Sequence, residues 1–153
     1  MKQYPAWLSR FTDLDIPLFD KPEDIAAFEL ARALPEQDYG ISVHEDMRDR
    51  YAFITNEDGS VTLTGGSTGV LYGAYRKIFS ALTGTDFAPA SQPRYALRML
   101  NCWDNMDGSV ERGYSGKSLF FRNGKLDYDP DRIRHLARLM ATVGLNVICI
   151  NNV

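Results

Sequence analysis

Hydrophobic positions recur along the first half of the chain with periods of about 3.6 and 2 residues, which predict helices and strands respectively. The helical period marks three segments: a turn at Trp7–Phe11, a helix from an N-cap at Asp20 to about Leu34, and a helix capped by Ser67 or Thr68 that ends at Gly84. The strand period marks 39–44, 50–55 and 60–64. Asp58-Gly59 separates the last two strands, and it predicts a β-hairpin because it supplies turn residues with positive φ.

The second half begins after Thr83–Pro93, a segment rich in glycine and proline that is typical of a linker. An apolar run at 95–103 predicts a strand that leads into a long polar loop, and a helix begins at Asp129. The apolar stripe of that helix contains Ile133, Leu136, Leu139, Met140 and Val143. The final run, 146–150, is typical of a strand buried on both faces of a parallel sheet. Residues 95–153 therefore predict a βαβ unit.

These elements predict an α/β protein in two parts. Residues 1–92 form a small α/β domain, and residues 93–153 form a first strand, a loop, a helix and a second strand. A complete (β/α)8 barrel needs ~250 residues. No whole barrel of this kind therefore fits in the 153 residues of the chain.

Composition excludes several classes of function. The chain is 44% hydrophobic and 24% charged, which is ordinary for a globular protein. Its net charge of -3 provides no basic field for nucleic acid, and no apolar run approaches the ~20 residues of a membrane span. The first residues lack a signal-peptide core, so we expect a cytoplasmic location. Cys102 and Cys149 are too widely spaced for a disulfide framework or a zinc site, and we expect reduced thiols, no metal and no cofactor.

Two further motifs have a structural explanation. Gly65-Gly-Ser-Thr-Gly69 is glycine-rich like a phosphate loop, but it lacks the Lys-Ser/Thr that completes one. We interpret it as a strand-to-helix turn. His135 lies between apolar positions of the last helix, and we expect it on a partly exposed face rather than at a metal site.

The candidate site is the junction at which the strand 95–103 runs into polar residues. In α/β barrels the chemistry lies at the carboxyl ends of the strands. Candidates for binding substrate at this junction and at the end of the next strand are Asn101, Trp103, Asp104, Asn105, Glu111, Arg112, Asn151 and Asn152. The alternative explanation is an ordinary turn formed by Asp107-Gly108.

Each candidate has a functional and a structural interpretation. Trp103 either offers an aromatic face to a ligand ring or packs the mouth of the barrel. The polar residues at 101, 104 and 105 either bind hydroxyl groups or brace the loop. Glu111 and Arg112 either form a pocket or pair with each other, and the two asparagines at 151 and 152 either face the same site or form a turn. Asp104, Asp107 and Glu111 lie on one short loop, where they would more easily sit on one side of a substrate bond than on opposite sides, so no catalytic acid or base is assigned.

Residues 98–116 resemble the signature of glycoside hydrolase family 67, the α-glucuronidases. The matching motifs are Arg98-Met-Leu-Asn101, Trp103-Asp-Asn105, Asp107-Gly108-Ser109, Glu111-Arg-Gly-Tyr114 and, on the next strand, Asn151-Asn152-Val153. Cys102 departs from the family pattern, which carries histidine there. The Gly69–Gly73 helix also resembles the closing helix of the small α/β domain that precedes the barrel in family 67 and in β-hexosaminidases.

The resemblance implies a β-hexosaminidase-like N-terminal domain at 1–92 and a truncated start of a catalytic (β/α)8 TIM barrel at 93–153. It implies a full-length enzyme that hydrolyses, with inversion and without a metal, the α-1,2 bond of (4-O-methyl)glucuronate on xylo-oligosaccharides in xylan breakdown. The catalytic carboxyl groups are then expected beyond Val153, and this chain alone is expected to be inactive.

The implied partners are a glucuronic-acid-bearing xylo-oligosaccharide and the remainder of the barrel, with a homodimer of the full-length enzyme left open. Neither nucleic acid nor a membrane is expected as a partner. Two rival functions also stay open. One is a non-catalytic carbohydrate-binding or assembly module, and the other is part of a related, β-hexosaminidase-like exo-glycosidase.

Overall fold

The computed structural model describes residues 4–11 and 17–150 of the chain. The chain divides into two compact units. The first spans Met1–Arg94 together with Ala141–Val143, and the second comprises Tyr95–Met140 and Gly144–Val153. Helices and strands are interspersed along the described residues, so the chain is a mixed α/β protein, as predicted.

The first unit combines a four-stranded mixed sheet with two α-helices. In chain order it contains a 3₁₀ turn (Leu8–Phe11), α1 (Pro22–Ala33), β1 (Tyr39–Val43), a 3₁₀ turn (Glu45–Met47), β2 (Tyr51–Thr55), β3 (Val61–Gly65), α2 (Ser67–Thr83) and β4 (Ala90–Ser91). The strand order is β1-β3-β2-β4. β3 pairs in parallel with β1 and antiparallel with β2, while β2 also pairs antiparallel with β4. The predicted helices and the β2–β3 hairpin are therefore confirmed.

The core of the first unit is apolar and rich in aromatic residues. Its most completely buried apolar side chains include Leu8, Leu30, Leu63, Val70 and Ile78. Trp7, Phe11, Tyr51 and Tyr75 belong to the same buried cluster. The predicted helical turn at Trp7–Phe11 therefore lies on a core, because its three large apolar side chains are all buried.

The turn from β3 into α2 brings two stretches of backbone very close together. A Cβ on Gly66 would lie 1.6 Å from the carbonyl oxygen of Arg48. A Cβ on Gly69 would lie 2.0 Å from the carbonyl oxygen of Arg50. Real Cβ atoms do not approach backbone atoms so closely, so only glycine fits at these two positions.

Two carboxylates lie at the N-terminal end of α2. The hydroxyl of Ser67 donates to Glu23, and the hydroxyl of Thr68 donates to Asp49. The prediction that Ser67 or Thr68 caps the helix is therefore wrong, since the N-cap is Gly66. Carboxylates are favourable near the positive end of a helix, and they would repel a phosphate. The interpretation of this glycine-rich segment as a strand-to-helix turn is confirmed.

Two other boundaries differ from the sequence predictions. The N-cap of α1 is Lys21 rather than Asp20, because the helix begins at Pro22, whose fixed φ suits the first helical position. The segment Thr83–Pro93 is not a plain linker, because it contains β4 at the edge of the sheet. No helix in the described ranges is long and apolar enough to cross a membrane.

The second unit is built on a pair of short parallel strands. It contains β5 (Met99–Asn101), β6 (Phe121–Arg122), β7 (Lys125–Leu126), most of α3 (Pro130–Val143) and β8 (Val147–Cys149). β5 and β8 pair in parallel, so β5, α3 and β8 form the predicted βαβ unit. β5 is shorter than the predicted strand at 95–103. The hairpin β6–β7 was not predicted, although its turn, Asn123-Gly124, is a common hairpin signal.

α3 buries a different face from the predicted apolar stripe. Its buried residues are His135, Arg138 and Ala141, which recur at helical spacing. Leu139 and Val143 of the predicted stripe are instead exposed. His135 is only 3% exposed, so the expected partly exposed position is wrong. Its Nδ1 atom lies 3.4 Å from Nη1 of Arg138, and this contact between polar groups could not be read from the hydrophobic pattern.

Candidate functional site

The candidate site begins where β5 and β8 end side by side. Asn101 at the end of β5 is aligned with Cys149 at the end of β8, and Asn101 is exposed. The backbone N–H of Cys102 donates to the carbonyl oxygen of Cys149 at 2.9 Å, which extends the pairing by one hydrogen bond. The polar residues that follow β5 therefore start from the carboxyl end of a parallel strand pair.

Arg98 and Asn146 fix the other end of these strands. The guanidinium of Arg98 donates to the carbonyl oxygens of Tyr95, at 2.6 Å, and Gly144. Oδ1 of Asn146 accepts from the N–H of Arg98 at 2.9 Å, and its Nδ2 donates to the carbonyl oxygen of Ala96 at 2.7 Å. In the sequence, Arg98 stood out only as part of a motif. A cation within an otherwise apolar strand is the signal that could have revealed this structural role.

Asp104 lies inside the loop and braces it. Its side chain is 5% exposed, and Oδ2 accepts from the hydroxyl of Ser118 and, at 3.0 Å, from the N–H of Leu119. The hydroxyl oxygen of Ser118 in turn accepts from the N–H groups of Phe120 and Phe121, at 3.0 and 2.9 Å. This network favours the bracing interpretation of Asp104 over direct contact with a ligand.

Asn105 also braces the loop. Its Nδ2 donates to the hydroxyl of Ser109 at 2.8 Å and to the carbonyl oxygen of Glu111 at 2.7 Å. Asp107 accepts from the N–H and the hydroxyl of Ser109, which lowers the pKa of its carboxyl group. The turn proposed as the alternative explanation of this segment is therefore present, and Gly108 has the positive φ that it requires.

Trp103 projects outward from this braced loop. Its side chain is 47% exposed, whereas the adjacent Asp104 is buried. The carbonyl oxygen of Trp103 accepts from the N–H of Glu111 at 2.7 Å, so its backbone is held by the loop while the indole remains accessible. A half-exposed indole on a fixed backbone can offer an apolar face to a ligand ring.

Glu111 and Arg112 follow Trp103 in the loop without pairing with each other. Glu111 is a non-glycine residue with a positive φ of 55°. Its Oε1 accepts from the hydroxyl of Tyr114 at 2.6 Å, and this hydrogen bond is the main reason that the pKa of Tyr114 is raised. Arg112 is exposed, and within the described residues no ion pair joins it to Glu111. The loop thus presents an indole, a carboxylate and a guanidinium within ten residues.

Two candidates lie outside the described part of the chain, and the two cysteines are free thiols. Asn151 and Asn152 lie outside the described residues, so their predicted role stays a prediction. Cys102 and Cys149 are both free thiols. Burial, followed by the nearby Asp104 and Cys149, raises the pKa of the Cys102 thiol, which disfavours its reactive thiolate. Among the described residues no cluster of three or more metal-ligating side chains is found.

Comparison with known proteins shows which proteins the chain is similar to. Residues 80–153 match the model of the glycosyl hydrolase family 67 middle domain. The chain is 44% identical over 105 residues to the probable alpha-glucuronidase A of Aspergillus clavatus, covering 66% of this chain and 12% of that protein. It is 41% identical over 104 residues to the probable alpha-glucuronidase A of Aspergillus fumigatus, with the same two coverages. It is 38% identical over 105 residues to the alpha-glucuronidase A of Aspergillus tubingensis, again covering 66% and 12%.

Among solved structures the chain is similar to an enzyme of glycoside hydrolase family 138 described as targeting pectin rhamnogalacturonan II. That match covers 62% of this chain and 13% of the other, with 19% identity and a TM-score of 0.39.

These matches indicate the class of protein first: part of the chain is similar to glycoside hydrolases. Residues 80–153 match the middle domain of family 67, and the chain is similar to the α-glucuronidases of that family. The resemblance inferred from residues 98–116 is therefore confirmed. The chain spans only 12% of the length of the relatives named above.

Proposed function

We propose that the chain contributes part of the substrate site of an α-glucuronidase. The reaction is inverting hydrolysis of the α-1,2 bond between glucuronate, or its 4-O-methyl derivative, and the terminal xylose of a xylo-oligosaccharide, as in xylan breakdown. The observation that carries the proposal is the half-exposed Trp103, held on a braced loop at the end of β5, inside the segment that matches family 67. The axial C–H bonds of a sugar ring pack well against an indole face.

The loop also offers the polar groups that such a substrate needs. Arg112 can meet the carboxylate of glucuronate, since a guanidinium binds carboxylates with two donors. Glu111 and Asn101 can accept or donate hydrogen bonds to sugar hydroxyls. In the proposed site Asp104 and Asn105 hold this surface in place rather than touch the sugar, because their side chains are engaged within the loop.

The proposed architecture is the start of a (β/α)8 barrel preceded by a small β-hexosaminidase-like domain. The parallel pair β5–β8, joined through α3, has the topology of one βαβ repeat. Tyr95, Leu97 and Met99 are large apolar residues on alternating positions, and all three are exposed. Met99 lies in β5 and the other two lie in the segment that leads into it, and an exposed apolar run of this kind fits packing against further barrel strands.

In the proposed enzyme, the two catalytic carboxyl groups lie outside this chain. An inverting glycosidase needs two carboxyl groups roughly 6.5–9.5 Å apart on either side of the scissile bond. Asp104 is occupied in bracing, and Asp107 is bonded to Ser109. We therefore assign the general acid and base to later barrel strands. The proposal also includes a cytoplasmic location and, for the complete enzyme, a homodimer.

The test is a chimera that carries this loop in an active relative. Residues 101–128 would replace the corresponding loop of the Aspergillus tubingensis alpha-glucuronidase A, and glucuronate release from aldotriouronic acid would be measured. We expect the chimera to remain active and the 153-residue chain alone to show no turnover. A chimera with the further change Cys102→His is the control, because it restores the family residue at the one departure from the pattern.

A folded chimera without activity, both with Cys102 and with the Cys102→His change, would contradict the proposal. Activity of the chain alone would contradict the assignment of the acid and base to later strands. A panel of aryl glycosides run beside aldotriouronic acid would reveal a hexosaminidase-like preference. Binding of the oligosaccharide without turnover in the chimera would support the rival function of a carbohydrate-binding module.

A further inference from the structure

The chain contains the same five-residue turn twice. We name them the Asn56 turn (Asn56–Ser60, sequence Asn-Glu-Asp-Gly-Ser) and the Asn105 turn (Asn105–Ser109, sequence Asn-Met-Asp-Gly-Ser). In each, the N–H of the asparagine donates to the carbonyl oxygen of the serine, at 2.8 and 2.9 Å, and the N–H of the glycine donates back to the asparagine carbonyl, at 3.0 Å in both. In each, the aspartate also accepts from the serine N–H and hydroxyl.

The two turns share even the first contact of the asparagine side chain. Nδ2 of Asn56 donates to the hydroxyl of Ser60 at 2.8 Å, and Nδ2 of Asn105 donates to the hydroxyl of Ser109 at 2.8 Å. One turn closes an exposed hairpin of the first unit, while the other lies in the candidate site. The Asn56 turn is therefore an internal reference: it shows the hydrogen bonds that the turn motif forms outside the candidate site.

The turns differ six residues after the asparagine. Nδ2 of Asn56 makes its second hydrogen bond to the hydroxyl of Thr62 at 3.0 Å, inside the regular strand β3. Nδ2 of Asn105 instead donates to the backbone carbonyl of Glu111 at 2.7 Å. Glu111 is in the left-handed region with φ of 55°, so the chain leaves the extended course that Thr62 keeps.

A left-handed glutamate costs free energy, because its Cβ crowds the backbone in a way that glycine avoids. Such a conformation persists only where the surroundings fix it, and residues of this kind cluster at functional sites. Glu111 is fixed on both sides: its N–H donates to the Trp103 carbonyl at 2.7 Å, and its carbonyl accepts from Asn105. The left-handed backbone in turn accompanies the hydrogen bond between Glu111 Oε1 and the hydroxyl of Tyr114.

We propose that Asn105 is a positioning residue that holds the Glu111 backbone in its left-handed conformation and so orients the Glu111 carboxylate toward the Tyr114 hydroxyl. Its effect on sugar recognition rests on the proposed function, but the positioning itself does not. The side chain of Asn105 donates to Ser109 and Glu111 within the loop, and it acts on a ligand through Glu111. Asn56 forms the same turn, but its second hydrogen bond goes to Thr62 in a regular strand and holds no left-handed residue.

The positioning can be measured through Tyr114 without any substrate. The Tyr114 hydroxyl donates to Glu111, and that hydrogen bond raises the pKa of Tyr114. The pKa can be followed by NMR titration of tyrosine labelled with carbon-13 at Cζ, with the Tyr114 signal assigned from Tyr114→Phe. Glu111→Ala defines the value that Tyr114 has without its acceptor.

We expect Asn105→Ala to lower the pKa of Tyr114 toward the value in Glu111→Ala. The matched control, Asn56→Ala, removes the same side chain from the same turn and should leave the pKa of Tyr114 unchanged. A folded Asn105→Ala variant with the wild-type Tyr114 pKa would overturn the proposal. So would an equal shift in Asn56→Ala, because that would show a general effect of losing either turn.

A second measurement covers the case in which Asn105→Ala is too unstable for a full pH titration but still shows an unfolding transition. Glycine adopts the left-handed conformation freely, so Glu111→Gly removes the need for positioning. Asn105→Ala should therefore lower the unfolding midpoint much less in the Glu111→Gly background than in the wild type. Equal losses in both backgrounds would mean that Asn105 serves the turn alone, and the proposal would be wrong. Because no ligand is used, neither result depends on whether the chain belongs to an active glucuronidase.

Discussion

Asp104 gives the sharpest prediction about how the loop is held. It lies next to the half-exposed Trp103, yet it is 5% exposed and accepts from the Ser118 hydroxyl and the Leu119 N–H. Hydrogen bonds to a charged group contribute about 1.5–3 kcal/mol each. Asp104→Ala removes both and leaves one buried donor and one partly buried donor without their acceptor, so we expect the second unit to lose about 3–6 kcal/mol. That loss is comparable with the whole stability of a small domain, about 5–15 kcal/mol.

Asp104→Asn is the milder form of the same change. An amide oxygen can still accept from one or both donors, but without the charge that strengthens these bonds, so we expect a loss of ~2 kcal/mol. For a domain of 60–100 residues this corresponds to a fall in the melting temperature of roughly 8–16 °C. The order of stability should therefore be wild type, then Asp104→Asn, then Asp104→Ala.

The assay combines urea unfolding with amide hydrogen exchange. Exchange should accelerate most at the amides of Leu119, Phe120 and Phe121, because the first is bonded to Asp104 and the other two to Ser118. Asp107→Asn is the matched control. That carboxylate is exposed, and an asparagine oxygen can accept the same bonds from Ser109, so its unfolding midpoint should not change measurably. Wild-type protection in Asp104→Ala would refute the bracing role and return Asp104 to the candidates for ligand contact.

Two further predictions concern the first unit. In thermal unfolding, Gly69→Ala should destabilise this unit far more than Gly59→Ala, because the new Cβ at position 69 would lie 2.0 Å from the Arg50 carbonyl oxygen. A Cβ at position 59 meets nothing within 4 Å, so only the positive φ of Gly59 opposes that substitution. Equal melting temperatures of the two variants would contradict the close packing at Gly69. The hydrogen bond from Ser67 is the main reason that the pKa of Glu23 lies below its usual 4.5. The stability that the Glu23 carboxylate gains from this hydrogen bond is present above pH 4.5 and is lost as the pH falls through its folded-state pKa. In Ser67→Ala, NMR titration should therefore show a raised Glu23 pKa, and unfolding at different pH values should show a smaller loss of stability in acid. An unchanged Glu23 pKa would refute the role of Ser67.

The sequence predicted most elements of this fold because their signals are local. The apolar alternation on both sides of Asp58-Gly59 defined the β2–β3 hairpin, and glycine at the end of α2 defined its C-terminus. What failed depends on contacts between distant residues. Ser67 has the side chain of a cap, but Glu23, 44 residues away, accepts its hydroxyl. His135 and Arg138 are buried together on α3, and no hydrophobic pattern predicts a buried polar pair.

In the candidate site, too, the sequence predicted the local features but not those that depend on contacts between distant residues. The sequence located the junction at the end of β5, and the family resemblance gave it a function. It could not separate the roles of neighbouring residues, because Trp103 and Asp104 differ by which side of a folded loop they face. The Ser118 hydroxyl that holds Asp104 is 14 residues away and has no sequence motif. The left-handed conformation of Glu111 was likewise invisible, since glutamate is not a residue that signals a positive φ.

The central claim is that Trp103 contacts the sugar, and a kinetic measurement on the loop chimera tests it most directly. We predict that Trp103→Ala lowers kcat/KM for aldobiouronic acid at least tenfold, which corresponds to ~1.4 kcal/mol or more of lost transition-state stabilisation. Melting temperatures of the same two proteins serve as the control, because the indole is 47% exposed and we expect the fold to survive its removal. Unchanged kcat/KM in the variant would remove Trp103 from the site, and a loss of activity together with a collapsed melting temperature would assign it to packing instead.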